Sequence, residues 1–285
     1  MARFVASPRP AYTAAMLERL QHFNDVVTYQ SPLLNAIGKA GVRHGFSTRL
    51  GGLSEGVYAT LNLGSLAKGN ATDANAMVAE NYRRLRAALG LERVMRVTVR
   101  QVHGNAVWHP PIKPVPEHDA PQADAMVSGE PRQMLTIRTA DCVPILLATA
   151  DGRFVAAVHA GWRGVVANIV AASVVKLCQV AYASPEDVVA AIGPCISADH
   201  FEVGEEVASQ FDAAGLGETI IRREAVKPHI DLQAAVRRQL LTMDIPEDQI
   251  DGHDGCTYAM ADSFFSYRRD GDPTGRMAAV IAASS

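Results

Sequence analysis

Three side chains capable of chemistry stand beside glycine or proline at the ends of apolar runs. They are His103 in "RQVHGN", Cys142 in "TADCVP" and His159 in "AAVHAGWRG". Two imidazoles and a thiolate make a sound zinc set, with a fourth position left for water or substrate. Their separations of 39 and 17 residues are far from the close pairs of a zinc finger. Ligands dispersed over separate strands suit an enzyme site better than a small structural one. Zinc held there would lower the pKa of bound water and polarise a leaving group. The same residues admit a second reading, with Cys142 as nucleophile and His159 or His103 as its base. Each alone also fits ordinary packing, since a buried cysteine behaves as a small hydrophobe. Asp141 precedes Cys142 and, on a strand, would point to the opposite face. It is expected to hydrogen-bond backbone or to support a ligand, not to complete a compact triad.

Copper chemistry has its own requirements. A multinuclear copper cluster needs His-x-His pairs, and the nine histidines of this chain include none. Arginines near glycine-rich turns suggest an anion: Arg49 in "FSTRLGG", Arg163 in "GWRG", and Arg268, Arg269 and Arg276 in "SYRRDGDPTGR". Guanidinium forks suit phosphate, although any one of them can equally be a structural or solvated residue. Trp162 and Phe46 offer rings that could stack on a base, or simply pack. Cys195 follows a Gly-Pro turn, Cys178 sits in an apolar helix, and Cys256 in "GCTYAM" has no assigned role.

The elements that must position these groups follow from periodicity. Residues 12–24 read as a leading helix and 42–54 as a strand entering a Gly-rich turn. The clearest helix is 73–91, with Val78, Tyr82, Leu85 and Leu89 at helical spacing and Gly90 suited to its C-cap. A strand over 96–104 ends near His103, and the proline-rich stretch 109–122 is a loop. Strands follow at 124–128, 133–138, 143–149 and 154–158, then a helix over 164–181 and a short strand at 190–192. Residues 231–243 read as a helix opened by Asp231, and the chain closes as a hairpin turning at 271–275. Strands and helices mix without βα alternation, which favours an α+β fold with mixed sheets.

The 285 residues are 48% hydrophobic, enough to bury a sizeable core. A net charge of −3 gives no electrostatic support for nucleic-acid or membrane-surface binding. No run approaches the roughly 18 apolar residues of a membrane span, and no signal-peptide h-region opens the chain. Four scattered cysteines without a C-x-x-C pair read as thiols. The expectation is a cytoplasmic protein, monomeric or homodimeric, forming a single domain over 1–285 with residues 1–40 as an N-terminal extension packed on it.

"HGFSTRLGGLS", "QVHGNAV", "ADAMVSG", "TIRTADCVPILLA", "VAAVHAGWRG", "AAIGPCIS…FEVGEEV" and "CTYAMADSFFSYRRDGDPTGRMAAVI" occur in that order. Together they closely resemble the bacterial laccase-domain family, variously called polyphenol oxidase, purine nucleoside phosphorylase or peptidoglycan editing factor, which includes the human laccase-domain-containing protein. The match spans about residues 42–282. The resemblance implies a four-layer α/β/β/α fold like that of a toxin cysteine-hydrolase domain. It implies Zn(2+) on His103, Cys142 and His159, and a cofactor-free site otherwise. It implies purine nucleosides and phosphate as partners: phosphorolysis of adenosine, inosine and methylthioadenosine, with adenosine deamination beside it. Neither His103 nor His159 opens an H-x-E motif, so a deaminase proton shuttle is unassigned. Arg49 is the phosphate candidate, with His44 nearby as an acid or anion contact. The competing readings are a metal-independent Cys/His hydrolase and a peptidoglycan-precursor editing role; copper polyphenol oxidation is disfavoured.

Overall fold

Strict two-residue alternation of buried side chains builds the molecule in layers. The computed structural model describes residues 15–37, 41–64 and 75–284. One sheet runs β1 (Glu18–Gln21), β2 (Val27–Gln30), β3 (Arg43–Ser47), β14 (Met277–Ala282), β7 (Gln133–Thr139) and β4 (Met95–Val97). The second runs β13 (Ile250–Asp251), β10 (Val188–Ile192), β8 (Val143–Thr149), β9 (Val155–Ala160), β6 (Ala125–Ser128) and β5 (Val107–Trp108). A small ribbon pairs β11 (Ile220–Ile221) with β12 (His229–Ile230). Both large sheets are mixed: β4 is parallel to β7, β5 to β6 and β13 to β10, while the other pairings are antiparallel.

The helices are α1 (Pro32–Ala36), α2 (Asn75–Leu89), α3 (Trp162–Val166), α4 (Ile169–Ala181), α5 (Glu205–Ala213), α6 (Leu232–Thr242) and α7 (Tyr267–Asp270). On β14, Met277, Ala279 and Ile281 face the second sheet, while Ala278, Val280 and Ala282 pack under Val78, Tyr82, Leu85 and Leu89 of α2. On β8, Leu146 and Ala148 face the first sheet, while Val143, Ile145 and Leu147 pack against α3, α4, α5 and α6. The result is helix, sheet, sheet, helices, the mixed α+β four-layer arrangement the motifs led us to expect. Strands β8, β9 and β14 read as nearly continuous apolar runs because both of their faces are covered.

Several elements differ from expectation. Residues 18–21 of the anticipated leading helix form β1, and residues 12–14 lie outside the described residues. The tight turn at Asn24–Asp25, with Asp25 at φ +65° and His22 N–H donating to Val26 O at 2.9 Å, folds β1 back onto β2. Cross-strand pairing therefore overrides helical spacing. The long helix over 164–181 is broken at Asn168, which adopts φ +61°, a conformation Asn tolerates. The closing hairpin does not form. Its first arm becomes α7, where Ser266 Oγ accepts from Arg269 N–H at 3.2 Å. β14 instead lies between β3 and β7.

One buried carboxylate ties the N-terminal segment to the second sheet. Asp251, fully buried on β13, accepts from Ala15 N–H at 2.8 Å, from Leu33 N–H at 3.0 Å and from the Ser31 hydroxyl that caps α1. Asp251→Ala strands these donors and is expected to cost about 3 kcal/mol, read as a lower urea midpoint with unchanged slope. A midpoint equal to wild type would show that this tie contributes nothing.

Candidate metal centre

The ends of β6, β8 and β9 meet on one rim of the second sheet. Cys142 immediately precedes β8, and His159 is the penultimate residue of β9. The register sets Pro144 opposite His159. His159 therefore alternates with Val155 and Ala157 on the face turned to the other sheet. His103 arrives from outside this sheet, in the loop that leaves β4 after Val97. The strand expected over 96–104 ends early because the chain must cross from one sheet to the other here. His103 takes φ +61° in doing so.

A residue not singled out from sequence organises the crossing. Asp124, fully buried, sits just before β6. Its carboxylate accepts three consecutive backbone N–H groups: Val102 at 3.2 Å, His103 at 2.9 Å and Gly104 at 2.7 Å. It also pairs with His159 Nδ1 at 2.8 Å, while its carbonyl accepts from His159 N–H at 2.7 Å. One side chain thus fixes the loop bearing His103 and the ring of His159. The bond to Nδ1 leaves Nε2 as the ligand atom, the usual support of a metal-binding imidazole. Asp124 was visible only as the second residue of "ADAMVSG"; an acidic residue at the head of an apolar strand is the signal that could have found it.

Ligand atoms of His103, Cys142 and His159 all lie within 4.8 Å of one another. Cys142 Sγ is 3.9 Å from His103 Nε2, and the two imidazoles meet edge to face at 4.9 Å between centroids. Such donors need to close by about 1 Å or less around a zinc with bonds of about 2.0–2.3 Å. The donor set and spacing fit one such ion, with a side left open because His103 is exposed. Burial opposes a charge on Cys142, yet the His159 charge and the His103 hydrogen bond outweigh it and bring the thiol down to about 6. Burial likewise opposes a proton on His159, but the Cys142 charge and the Asp124 hydrogen bond raise it to about 9. For Asp124, burial is outweighed by the His159 hydrogen bond and the amides of Gly104 and Val102, which hold it below the usual carboxylate range.

Glycine is required beside the cluster. A Cβ on Gly161 would lie 2.7 Å from His103 Cδ2 and 3.2 Å from Cys142 Sγ. Asp141 supports the same place from behind, as anticipated. At φ +92° it turns the chain into Cys142, and its carboxylate accepts from Thr257 Oγ1 at 2.6 Å and Arg268 N–H at 2.7 Å.

The structure does not bring His44 or Arg49 into the cluster. His44 is buried in β3 opposite Ile281, four residues along β14 from Met277, which pairs with Thr139 near the site. That is roughly 13 Å down the strand. Its Nε2 accepts from Ser31 N–H at 2.7 Å, its Nδ1 bonds Val42 O at 2.7 Å, and burial pushes it down to about 4. Arg49 donates to Ala59 O at 2.7 Å and Ala261 O at 3.0 Å beneath the Phe265 ring. Arg269 is engaged by the carbonyls of Thr257, Tyr258 and Phe264. Phe46 is core, and Trp162 is half-buried under Arg163.

Arg276 differs from these. It lies within charge range of Cys142. Its Nη1 donates to Thr274 O and Gly275 O at 2.9 Å each, its backbone N–H to Asn62 Oδ1, and its guanidinium sits 5.9 Å from the Tyr267 ring. Nε and Nη2 have no hydrogen-bond partner among the described residues.

These features define a class: a two-sheet α+β protein with a His–Cys–His cluster that could hold one metal ion. Residues 43–284 match the family model described as multi-copper polyphenol oxidoreductase laccase. The chain belongs to that family. It is 43% identical over 253 residues to a purine nucleoside phosphorylase of Deinococcus radiodurans, covering 88% of this chain and 92% of the relative. It is 37% identical to the purine nucleoside phosphorylase YfiH of Escherichia coli, covering 85% and 93%. Among solved structures it is similar to YlmD of Geobacillus stearothermophilus, with a TM-score of 0.78, 30% identity and coverage of 94% and 100%. The Neisseria meningitidis protein NMB0706 gives 0.76 at 30% identity over 91% and 99%.

Asp124→Asn keeps the shape but weakens the acceptor, and is expected to lower zinc affinity about 10–100-fold, measured by competition with a chromophoric chelator. Unchanged affinity would show that the carboxylate does not act on the ligands. Gly161→Ala is expected to lower zinc affinity with little loss of thermal stability, because its Cβ meets the two ligands. A loss of stability with affinity intact would contradict that.

Proposed function

We propose that this chain is a zinc-dependent purine nucleoside phosphorylase acting on adenosine, inosine and methylthioadenosine. The observation that carries the reading is the convergence of His103, Cys142 and His159 on one open rim, braced by Asp124. Zinc bound there supplies Lewis-acid chemistry. The names of the relatives supply the substrate class.

The chain's own residues have these parts. Asp124 holds His159 with Nε2 turned to the centre and holds His103 through its backbone. Asp141 and Gly161 set the Cys142 turn and keep the space beside it clear. Arg276 replaces Arg49 as the phosphate contact, because it lies within charge range of Cys142 and its Nε and Nη2 have no hydrogen-bond partner among the described residues. The exposed Tyr267 ring beside Arg276 offers a face for the purine. Phosphate held by Arg276 attacks C1′ as the bond to the purine breaks, and positioning of the two reactants lowers the barrier.

Adenosine deamination is the weaker half of the proposal. A zinc deaminase needs a free carboxylate as proton shuttle, and the two carboxylates against the cluster, Asp124 and Asp141, are both fully hydrogen-bonded. The family description names copper, yet among the described residues one group of three candidate ligands comes together, fewer than a multicopper cluster needs. One observation favours a second reading: the depressed Cys142 thiol beside a charged His159 is the pattern of a cysteine nucleophile.

Chromatography of the three nucleosides with enzyme, with and without phosphate, tests the proposal. Base release is expected only with phosphate, lost on chelation and restored by zinc. Arg276→Gln is expected to raise the KM for phosphate about tenfold, the equivalent of roughly 1.4 kcal/mol, with a smaller change in the KM for nucleoside. Turnover that survives chelation and stops on thiol alkylation would select the cysteine hydrolase instead.

A further inference from the structure

A pair of sulfurs lies behind the candidate metal centre. Cys195 and Cys256 are both free, both buried, and partners in an isolated parallel bridge between two chain segments. Thr257 N–H donates to Cys195 O at 3.0 Å across it. Paired residues on adjacent strands stand about 4.8 Å apart and project to the same face. That separation lies inside the roughly 4.4–6.8 Å between Cα atoms that a disulfide spans.

The two thiols differ in surroundings. Cys256 Sγ accepts from Ser197 N–H at 3.2 Å and lies 3.6 Å from His200 Nδ1. Ser197 Oγ also reaches His200 Nδ1 at 3.2 Å, and Tyr258 stacks on the imidazole at 4.5 Å. An amide donor and an imidazole thus meet on this one sulfur, and the imidazole is placed to take the thiol proton as the sulfur attacks. Among the described residues Cys195 has no such partners; burial, with Asp231 next in effect, pushes its thiol far up. His200 and Ser197 are half-buried, which gives a small reagent a route to Cys256.

We propose that Cys195 and Cys256 form a peroxide-reactive dithiol, a modification site outside the His103–Cys142–His159 cluster, in which Cys256 attacks and Cys195 resolves. The Cys256 thiolate attacks one oxygen of hydrogen peroxide. The O–O bond breaks, Cys256 becomes a sulfenic acid, and the hydroxide released takes the proton that Cys256 gave up, leaving as water. The Cys195 sulfur then attacks the Cys256 sulfur. The S–O bond breaks, the Cys195 proton joins the departing hydroxide as a second water, and a disulfide remains. Two thiols are oxidised by two electrons and one peroxide is reduced to two waters.

The pair is wired to the Cys142 turn. Ile196, next to Cys195, donates its N–H to Asp141 O at 3.0 Å, and Thr257, next to Cys256, donates its hydroxyl to the Asp141 carboxylate.

The test is peptide mapping of the zinc-loaded protein after brief exposure to a small excess of hydrogen peroxide, with N-ethylmaleimide blocking under denaturing conditions. The expected product is a Cys195–Cys256 cross-linked peptide that dithiothreitol removes. In Cys195→Ser, Cys256 is expected to be trapped as a dimedone adduct; in Cys256→Ser, Cys195 is expected to carry maleimide alone. Maleimide on both Cys195 and Cys256 of the wild type after peroxide, or a cross-link from either to Cys142, would overturn the proposal. The readout is independent of nucleoside turnover, so it stands or falls apart from the phosphorylase reading.

Discussion

The site depends on a single buried carboxylate. Asp124 has no solvent and must satisfy its oxygens from protein donors, or its burial would be costly. It does so with three successive amides of the loop that carries His103 and with the ring of His159. The geometry of the two imidazoles is therefore a by-product of satisfying one charge. Because β6 pairs with β9 in fixed register, Asp124 and His159 come opposite each other without further design. The four layers serve this junction: β6, β8 and β9 are central strands of the second sheet, held from both sides by apolar packing.

Two left-handed residues mark where the chain departs from regular structure to deliver ligands. His103 and Asp141 both have positive φ, which is uncommon for residues other than glycine. Each is held by several hydrogen bonds from other parts of the chain. Local strain that the surroundings over-determine is characteristic of functional sites. Cys142 inherits its position from Asp141, which is tied to Thr257 and Arg268, so three segments distant in sequence fix one sulfur. Its thiol and His159 then shift each other in opposite directions, readying the sulfur as a ligand or as a nucleophile.

Much of this was legible beforehand, for physical reasons. The runs at 143–149 and 154–158 are doubly buried strands, and nearly continuous apolar sequence declares them, while 133–138 carries Met134, Leu135 and Ile137 among polar residues. Helix α2 declared itself by its apolar stripe, and Asp231 by its capping position, where its carboxylate accepts from Ala234 N–H. The three candidate ligands stood out because polar, reactive groups ended apolar strands. What sequence did not show depends on tertiary pairing. β1 looked helical until its partner strand was known. The aromatic-rich "FFSYRRD" stretch reads as a strand, yet Ser266 caps a helix that feeds Arg268 N–H to Asp141. Arginine roles were the least readable. Arg49 and Arg276 both flank glycines, and only the fold sets Arg276 within charge range of Cys142 and Arg49 against the Phe265 ring.

Zinc K-edge X-ray absorption of the purified protein addresses the central claim most directly. The account predicts about one zinc per chain, with one sulfur neighbour near 2.3 Å and nitrogen or oxygen neighbours near 2.0–2.1 Å, the sulfur shell vanishing in Cys142→Ala. Stoichiometric zinc with no sulfur neighbour in the wild type, or a metal–metal vector from a multinuclear copper site, would contradict it.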